Sequence, residues 1–142
     1  MFYRLATLAA CLSLTACATS YQSGAGSLTG GHYERQGPGK LELVEFYGNG
    51  YTSLALAEQY ATYRCAEVAQ AKGKPYFIMY DTLNNAARDI PSFRPLVGSI
   101  QNKPHAVSFV LLLDSPRRGA LETKNVLADL KQVIETSQEK KS

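Results

Sequence analysis

The chain has 142 residues and a formal charge of +3. That length suits one hydrophobic core with appendages, and the charge is too mild to point to nucleic acid. Two histidines and three cysteines, with no Cys-x-x-Cys and no His-Glu-x-x-His spacing, give no metal motif, and no cofactor is expected.

Met1 to Arg4 forms a short, positively charged start, and Leu5 to Thr15 follows without a charge. About eleven residues make a helix of roughly 16 Å, too short for a hydrocarbon core of about 30 Å. A charged start, a short apolar run and small residues at its end are the pattern of a secretory signal. The segment 1–16 is therefore expected to be a signal peptide.

Leu14-Thr15-Ala16-Cys17 closes that run. It resembles a bacterial lipobox: an aliphatic residue, two small residues, then cysteine. Small side chains let an extended chain enter a peptidase cleft, and a thiolate is the good nucleophile available to take a lipid. The resemblance implies a diacylglyceryl thioether on Cys17, cleavage between Ala16 and Cys17, and further acylation of the new amine. Two or three chains suffice for stable anchoring where one does not. Ala18 rather than Asp follows the cysteine, which is similar to the pattern of Gram-negative lipoproteins sent to the outer membrane, facing the periplasm.

Residues 17–39 are polar and rich in glycine, with Gly24, Gly26, Gly30, Gly31, Gly37 and Gly39. Such a composition reads as a flexible tether, parts of which Tyr21, Tyr33 and Leu28 could pin to the domain. No Gly-Lys-Ser/Thr follows its glycines, so a phosphate loop is rejected. His32 is expected to be a solvated loop residue. The domain proper is expected over 40–138, with a polar tail at 139–142.

Lys40 to Tyr47 is rich in β-formers and predicts a strand. Gly48-Asn49-Gly50 ends it, and Thr52 or Ser53 caps the helix that follows. In that helix Leu54, Ala57, Ala61, Cys65 and Val68 recur at spacings of three and four, giving one apolar stripe that runs to about Lys72. Arg64 and Glu67 sit three apart and predict a local surface pair. Gly73 stops the helix. With Cys11 in the signal and Cys17 lipidated, Cys65 has no partner for a disulfide, and its place on the stripe predicts a buried, inert thiol.

Tyr76 to Tyr80 is an apolar run that fits an interior strand. The stretch 83–104 carries three prolines and no clear period, and reads as a long loop. Its Arg88, Phe93, Arg94 and Lys103 could meet an anionic partner such as phospholipid heads or glycan. Ala106 to Leu113 is the most apolar strand, with His105 at its edge. A second amphipathic helix is predicted over 123–137. The expected class is α+β: a small three-stranded sheet with two helices on one face, in the order β-α-β-long loop-β-α. If the first two strands are adjacent and parallel, their crossover is right-handed.

Cys-Ala-Thr-Ser-Tyr-Gln (17–22), Gly-Gly-His-Tyr-Glu (30–34), Phe-Tyr-Gly-Asn-Gly-Tyr-Thr-Ser (46–53) and Tyr-Arg-Cys-Ala-Glu (63–67) resemble segments of a group of small proteobacterial envelope lipoproteins of unassigned function. The resemblance covers roughly 17–80. Members usually carry a small residue where Cys65 stands, and Tyr directly after the glycine pair, where His32 intervenes here. The resemblance implies location and fold but no substrate, cofactor or reaction. Neither histidine sits in a nucleophile motif, so an enzyme is not expected. Asp81 and Asp114, each following a predicted strand, could meet at one sheet end. The reading from the residues is a membrane-anchored binding or sensing module. Gly48-Asn49-Gly50, where amides and a helix start could receive an anion or carboxylate, is its first candidate contact, and Arg88 and Arg94 are its second. An envelope protein or glycan is the expected partner class. The alternative is a structural, self-associating component of an envelope assembly, and the oligomeric state is open.

Overall fold

The computed structural model describes residues 17–139. The expected signal peptide, the cleavage-site residue Ala16 and the end of the tail lie outside the described residues. The elements are β1 (Gly31–Gln36), β2 (Leu41–Tyr47), α1 (Leu54–Ala71), β3 (Tyr76–Tyr80), α2 (Leu83–Ala87), β4 (Leu96–Ile100), β5 (Lys103–Leu113), β6 (Leu121–Glu122) and α3 (Thr123–Glu139). The class is mixed α+β, as expected. The sheet is antiparallel and six-stranded rather than three-stranded, and three helices accompany it among the described residues.

The sheet is built around β5. One edge of β5 pairs with β2, and the other pairs with β4 and β3 placed end to end. β2 and β3 are thus separated by β5, and the expected adjacent parallel pair does not form. The reason is the length of β5. Lys103, Pro104 and His105 extend the apolar strand backwards by three residues, enough to pair with β4. A two-residue turn joins those strands, with Gln101 and Asn102 both at positive φ (53° and 60°). Two such residues match the twist of a tight hairpin, and Gln-Asn does not advertise it in the sequence.

The 17–39 stretch is not a tether. Its glycines are turn residues for β1, which pairs with β2 along its whole length. Gly39, at φ 62°, lies in the β1–β2 turn, where the Gly37 amide donates to Leu41 O. β1 reads as polar because it lies at the edge of the sheet and spends its side chains on ion pairs rather than on the core.

One face of the sheet presents Val44, Phe46, Phe77, Met79, Ala106 and Val110, all buried. The stripe of α1 lies over it. Ala57, Ala61, Cys65, Ala66 and Ala69 are fully buried, and their small side chains let the helix sit close to the strands. Val126 and Leu127 of α3 close the core beside Leu121, and α3 otherwise packs along α1. The expected long loop supplies α2 and β4. α2 borders the opposite sheet face, forming a cleft with Leu41, Tyr80 and Leu111. Among the described residues no helix is long and apolar enough to cross a membrane.

Candidate functional site: the seat of Cys17

Cys17 is exposed, yet the residues after it are fixed to the domain within two positions. Asn49 makes the attachment. Its side-chain amide donates to Cys17 O at 3.0 Å, and its backbone amide donates to Thr19 Oγ1 at 2.8 Å. Thr19 Oγ1 in turn donates to Thr29 O at 2.5 Å. The Thr19 amide donates to Thr52 Oγ1 at 2.9 Å, and Thr52 Oγ1 donates to Asn49 Oδ1 at 3.1 Å. Asn49 Oδ1 also accepts from the Tyr51 amide at 3.0 Å. Thr19 and Thr52 are buried, so these bonds are shielded from water and costly to break.

This closure answers what the Gly48-Asn49-Gly50 turn does. The Gly48 amide donates to Pro104 O at 2.8 Å, and the Asn49 amide is spent on Thr19. Ser53 caps α1 by accepting from the Leu56 amide at 3.1 Å. The turn receives its own chain where an external anion was expected. Gly50 is exposed, with nothing close to the position a Cβ would take. Arg88 caps the C-terminal end of α2, and Arg94 lines a shallow cleft with Glu58 and Asp81. The structure therefore does not gather the two arginines with the turn.

Tyr21 is the second attachment. It is buried, with ring centroids 5.0 Å from His32, 5.5 Å from Tyr60 and 5.3 Å from Tyr63. Edge-to-face contacts of this kind add to plain burial. Its amide donates to Ser137 Oγ of α3 at 3.3 Å, and its hydroxyl donates to Glu67. Burial, with the neighbouring Glu67 carboxylate, raises the phenol well above its ordinary range, so it stays a donor.

Arg64 draws the strands in. It donates to Glu67 Oε2 at 2.8 Å and, in a two-pronged pair, to Glu34 Oε1 and Oε2 at 2.5 and 3.2 Å. Burial works against the guanidinium charge, but the two carboxylates outweigh it, and Arg64 is held above its usual range. Burial likewise opposes the Glu34 charge, and the hydrogen bond and charge of Arg64 overcome it, holding this carboxyl below its usual range. The expected local Arg64–Glu67 pair is thus one limb of a network joining β1, α1 and the segment after Cys17. No spacing in the sequence shows Glu34 or Tyr21 to be its other members.

His32 is a correction. It lies within β1, largely buried, with Nδ1 3.5 Å from Glu34 Oε2. Burial and then the Arg64 charge hold its imidazole below its ordinary range. At neutral pH it is uncharged and the contact is not an ion pair. His105 stacks on Tyr47 at 4.3 Å, inside β5. Cys65 is fully buried, and burial pushes its thiol up to about 12. Asp81 and Asp114 do not meet. They follow antiparallel neighbours and sit at opposite ends of the sheet, Asp81 accepting from Asn85 Nδ2 at 2.7 Å and Asp114 from Lys74 Nζ at 2.8 Å.

Gln22 completes the seat. Its side-chain amide donates to Ser27 Oγ at 2.7 Å and Gly30 O at 3.1 Å, and its backbone carbonyl accepts from the His32 amide at 2.8 Å. A Cβ on Gly31 would stand 2.5 Å from Gln22 O, so the glycine pair is what lets this segment lie against β1. The four segments singled out in the sequence, 17–22, 30–34, 46–53 and 63–67, therefore meet in one place. A groove of about 750 Å³ opens beside it, with Leu56, Tyr60 and Val133 on its apolar side and Asp129 at its polar side. Among the described residues no group of three or more His, Cys, Asp or Glu is placed to hold a metal ion. Comparison with protein-family models, with characterised proteins and with solved structures finds no match.

Proposed function

We propose that this chain is a bacterial envelope lipoprotein, anchored through lipid on Cys17, whose domain acts as a binding or sensing module held close to the membrane. The observation that carries the reading is the hydrogen bond from Asn49 to the Cys17 carbonyl, with Thr19 and Tyr21 buried immediately after it. A lipidated cysteine followed by a slack tether would let a domain search a wide volume. Here the mooring point belongs to the body, which keeps the domain close to the bilayer. The outer membrane facing the periplasm is the proposed location, an envelope protein or glycan the proposed partner class, and no catalytic role is proposed.

A second reading has its own support. Tyr33 and Tyr47 are exposed on the open face of the sheet, edge to face at 5.6 Å, and aromatic residues are enriched where proteins meet. That favours a component of a larger envelope assembly. Size measurement on the native protein in detergent separates the two. For the anchor, metabolic labelling with an acyl-chain probe is expected to mark the wild-type chain and not Cys17→Ala. Label retained by Cys17→Ala would refute the assignment.

A further inference from the structure

Three chain segments that meet around the seat of Cys17 carry four large, exposed apolar side chains. Leu28, at 105% relative exposure, precedes Thr29, whose carbonyl takes the Thr19 hydroxyl. Tyr51 (67%) is two residues from Asn49, and Leu54 (52%) opens α1 just beyond. Ile100 (53%) stands at the tip of the β4–β5 hairpin, cross-strand from Lys103, next to the Pro104 that bonds to Gly48. Other large apolar side chains are exposed elsewhere, Phe93 (57%) and Leu96 (49%) among them, so what marks these four is that they gather around one point.

We propose that this rim is a second, non-covalent membrane contact, in which Leu28, Tyr51, Leu54 and Ile100 enter the headgroup layer beside the lipidated sulfur. The proposal rests on lipid attachment at Cys17. The occupant follows from continuity with that attachment. Cys17 is held to Asn49, so acyl chains on its sulfur bring the bilayer surface within a few residues of every member of the rim. Tyrosine and aliphatic side chains suit that depth, since the ring sits among headgroups and the aliphatic groups reach the acyl boundary. Its charged neighbours include Lys103 at the hairpin tip, Asp129 in the adjoining groove and Glu58, one helical turn from Leu54. Lys40 and Arg118 lie beyond the other end of the sheet, past the Leu41–Leu111 pairing, and so face away from the bilayer. One covalent attachment leaves a body free to tilt. A rim on several segments fixes which face of the domain meets the periplasm.

The test uses the absence of tryptophan from the chain. The full-length lipidated protein carrying Tyr51→Trp, Ile100→Trp or, as a distal control, Arg118→Trp is reconstituted into vesicles of phosphatidylethanolamine and phosphatidylglycerol with acyl chains brominated near the glycerol. Each position is exposed, so folding is not at issue. The first two variants are expected to shift to the blue and to lose emission to bromine, with the control unchanged. Three outcomes overturn the proposal. If the chain carries acyl label and all three variants behave alike, the rim fails while the anchor stands. A blue shift without quenching by bromine assigns the rim to a protein partner or a second copy. An unacylated native chain removes both the anchor and the rim.

Discussion

Replacing Tyr21 by alanine should strip the segment after Cys17 from the domain. The ring is buried and touches three others, so truncation removes one of the larger apolar contacts outside the central core. Large-to-alanine changes at buried aromatic positions cost about 3 to 5 kcal/mol. The lower end applies here, because the cleft beside Tyr63 and Glu67 is open to water and partly relaxes the void. The lost hydroxyl bond adds little, since Glu67 keeps Arg64 as a partner. The expected loss is about 3 kcal/mol, or on the order of 10 °C in Tm for a domain of this size. Tyr21→Phe keeps the ring contacts and should cost only about 1 kcal/mol. Urea unfolding followed by circular dichroism measures both. If Tyr21→Ala costs less than about 0.5 kcal/mol, the value for an exposed position, the packing of this segment plays no part in stability and the reasoning fails.

Two further outcomes follow from buried groups. Cys65, with its thiol pushed up to about 12 by burial, should resist alkylation in the native protein and react in urea, as read by intact mass; native labelling at the rate of a small thiol would contradict its placement. His32 should make the domain less stable in acid. Burial and Arg64 hold its folded-state pKa below the unfolded value of about 6.5. As pH falls through that value the unfolded chain takes up a proton that the folded one refuses, and stability drops until the folded imidazole also protonates. Glu34, held low by Arg64 despite its burial, adds a separate loss at lower pH as its carboxylate protonates. Urea midpoints between about pH 5 and pH 7.5 should slope less in His32→Gln than in wild type, and parallel curves would remove His32 from the account.

What the sequence showed, and what it hid, divide along one physical line. β2, α1, β3, the apolar part of β5 and α3 are visible because they bury hydrophobic stripes or runs, and periodicity reports burial. β1 is Gly-His-Tyr-Glu-Arg-Gln, held by its ladder to β2 and by the pair between Glu34 and Arg64, thirty residues apart, neither of which a local pattern encodes. β4 was hidden because Leu-Val-Gly-Ser-Ile between prolines needs the Gln101-Asn102 turn to become a hairpin strand. Glycine content misleads for the same reason. It marked tight turns and the close approach of Gln22 to Gly31, where composition alone suggested slack. At the candidate site, Cys17 and the Gly48–Gly50 turn stood out separately, and their contact was legible only through Asn49 and Thr19 in three dimensions.

The central claim is that the chain leaving Cys17 is part of the folded body. Amide hydrogen exchange on the native protein in detergent tests it most directly. The amides of Thr19, Tyr21, Gly24 and His32, which donate to Thr52, Ser137, His32 and Gln22, should be protected alongside those of β1. Exchange of the first three at the rate of an unstructured peptide, with β2 and β5 still protected, would show a tether and contradict the account.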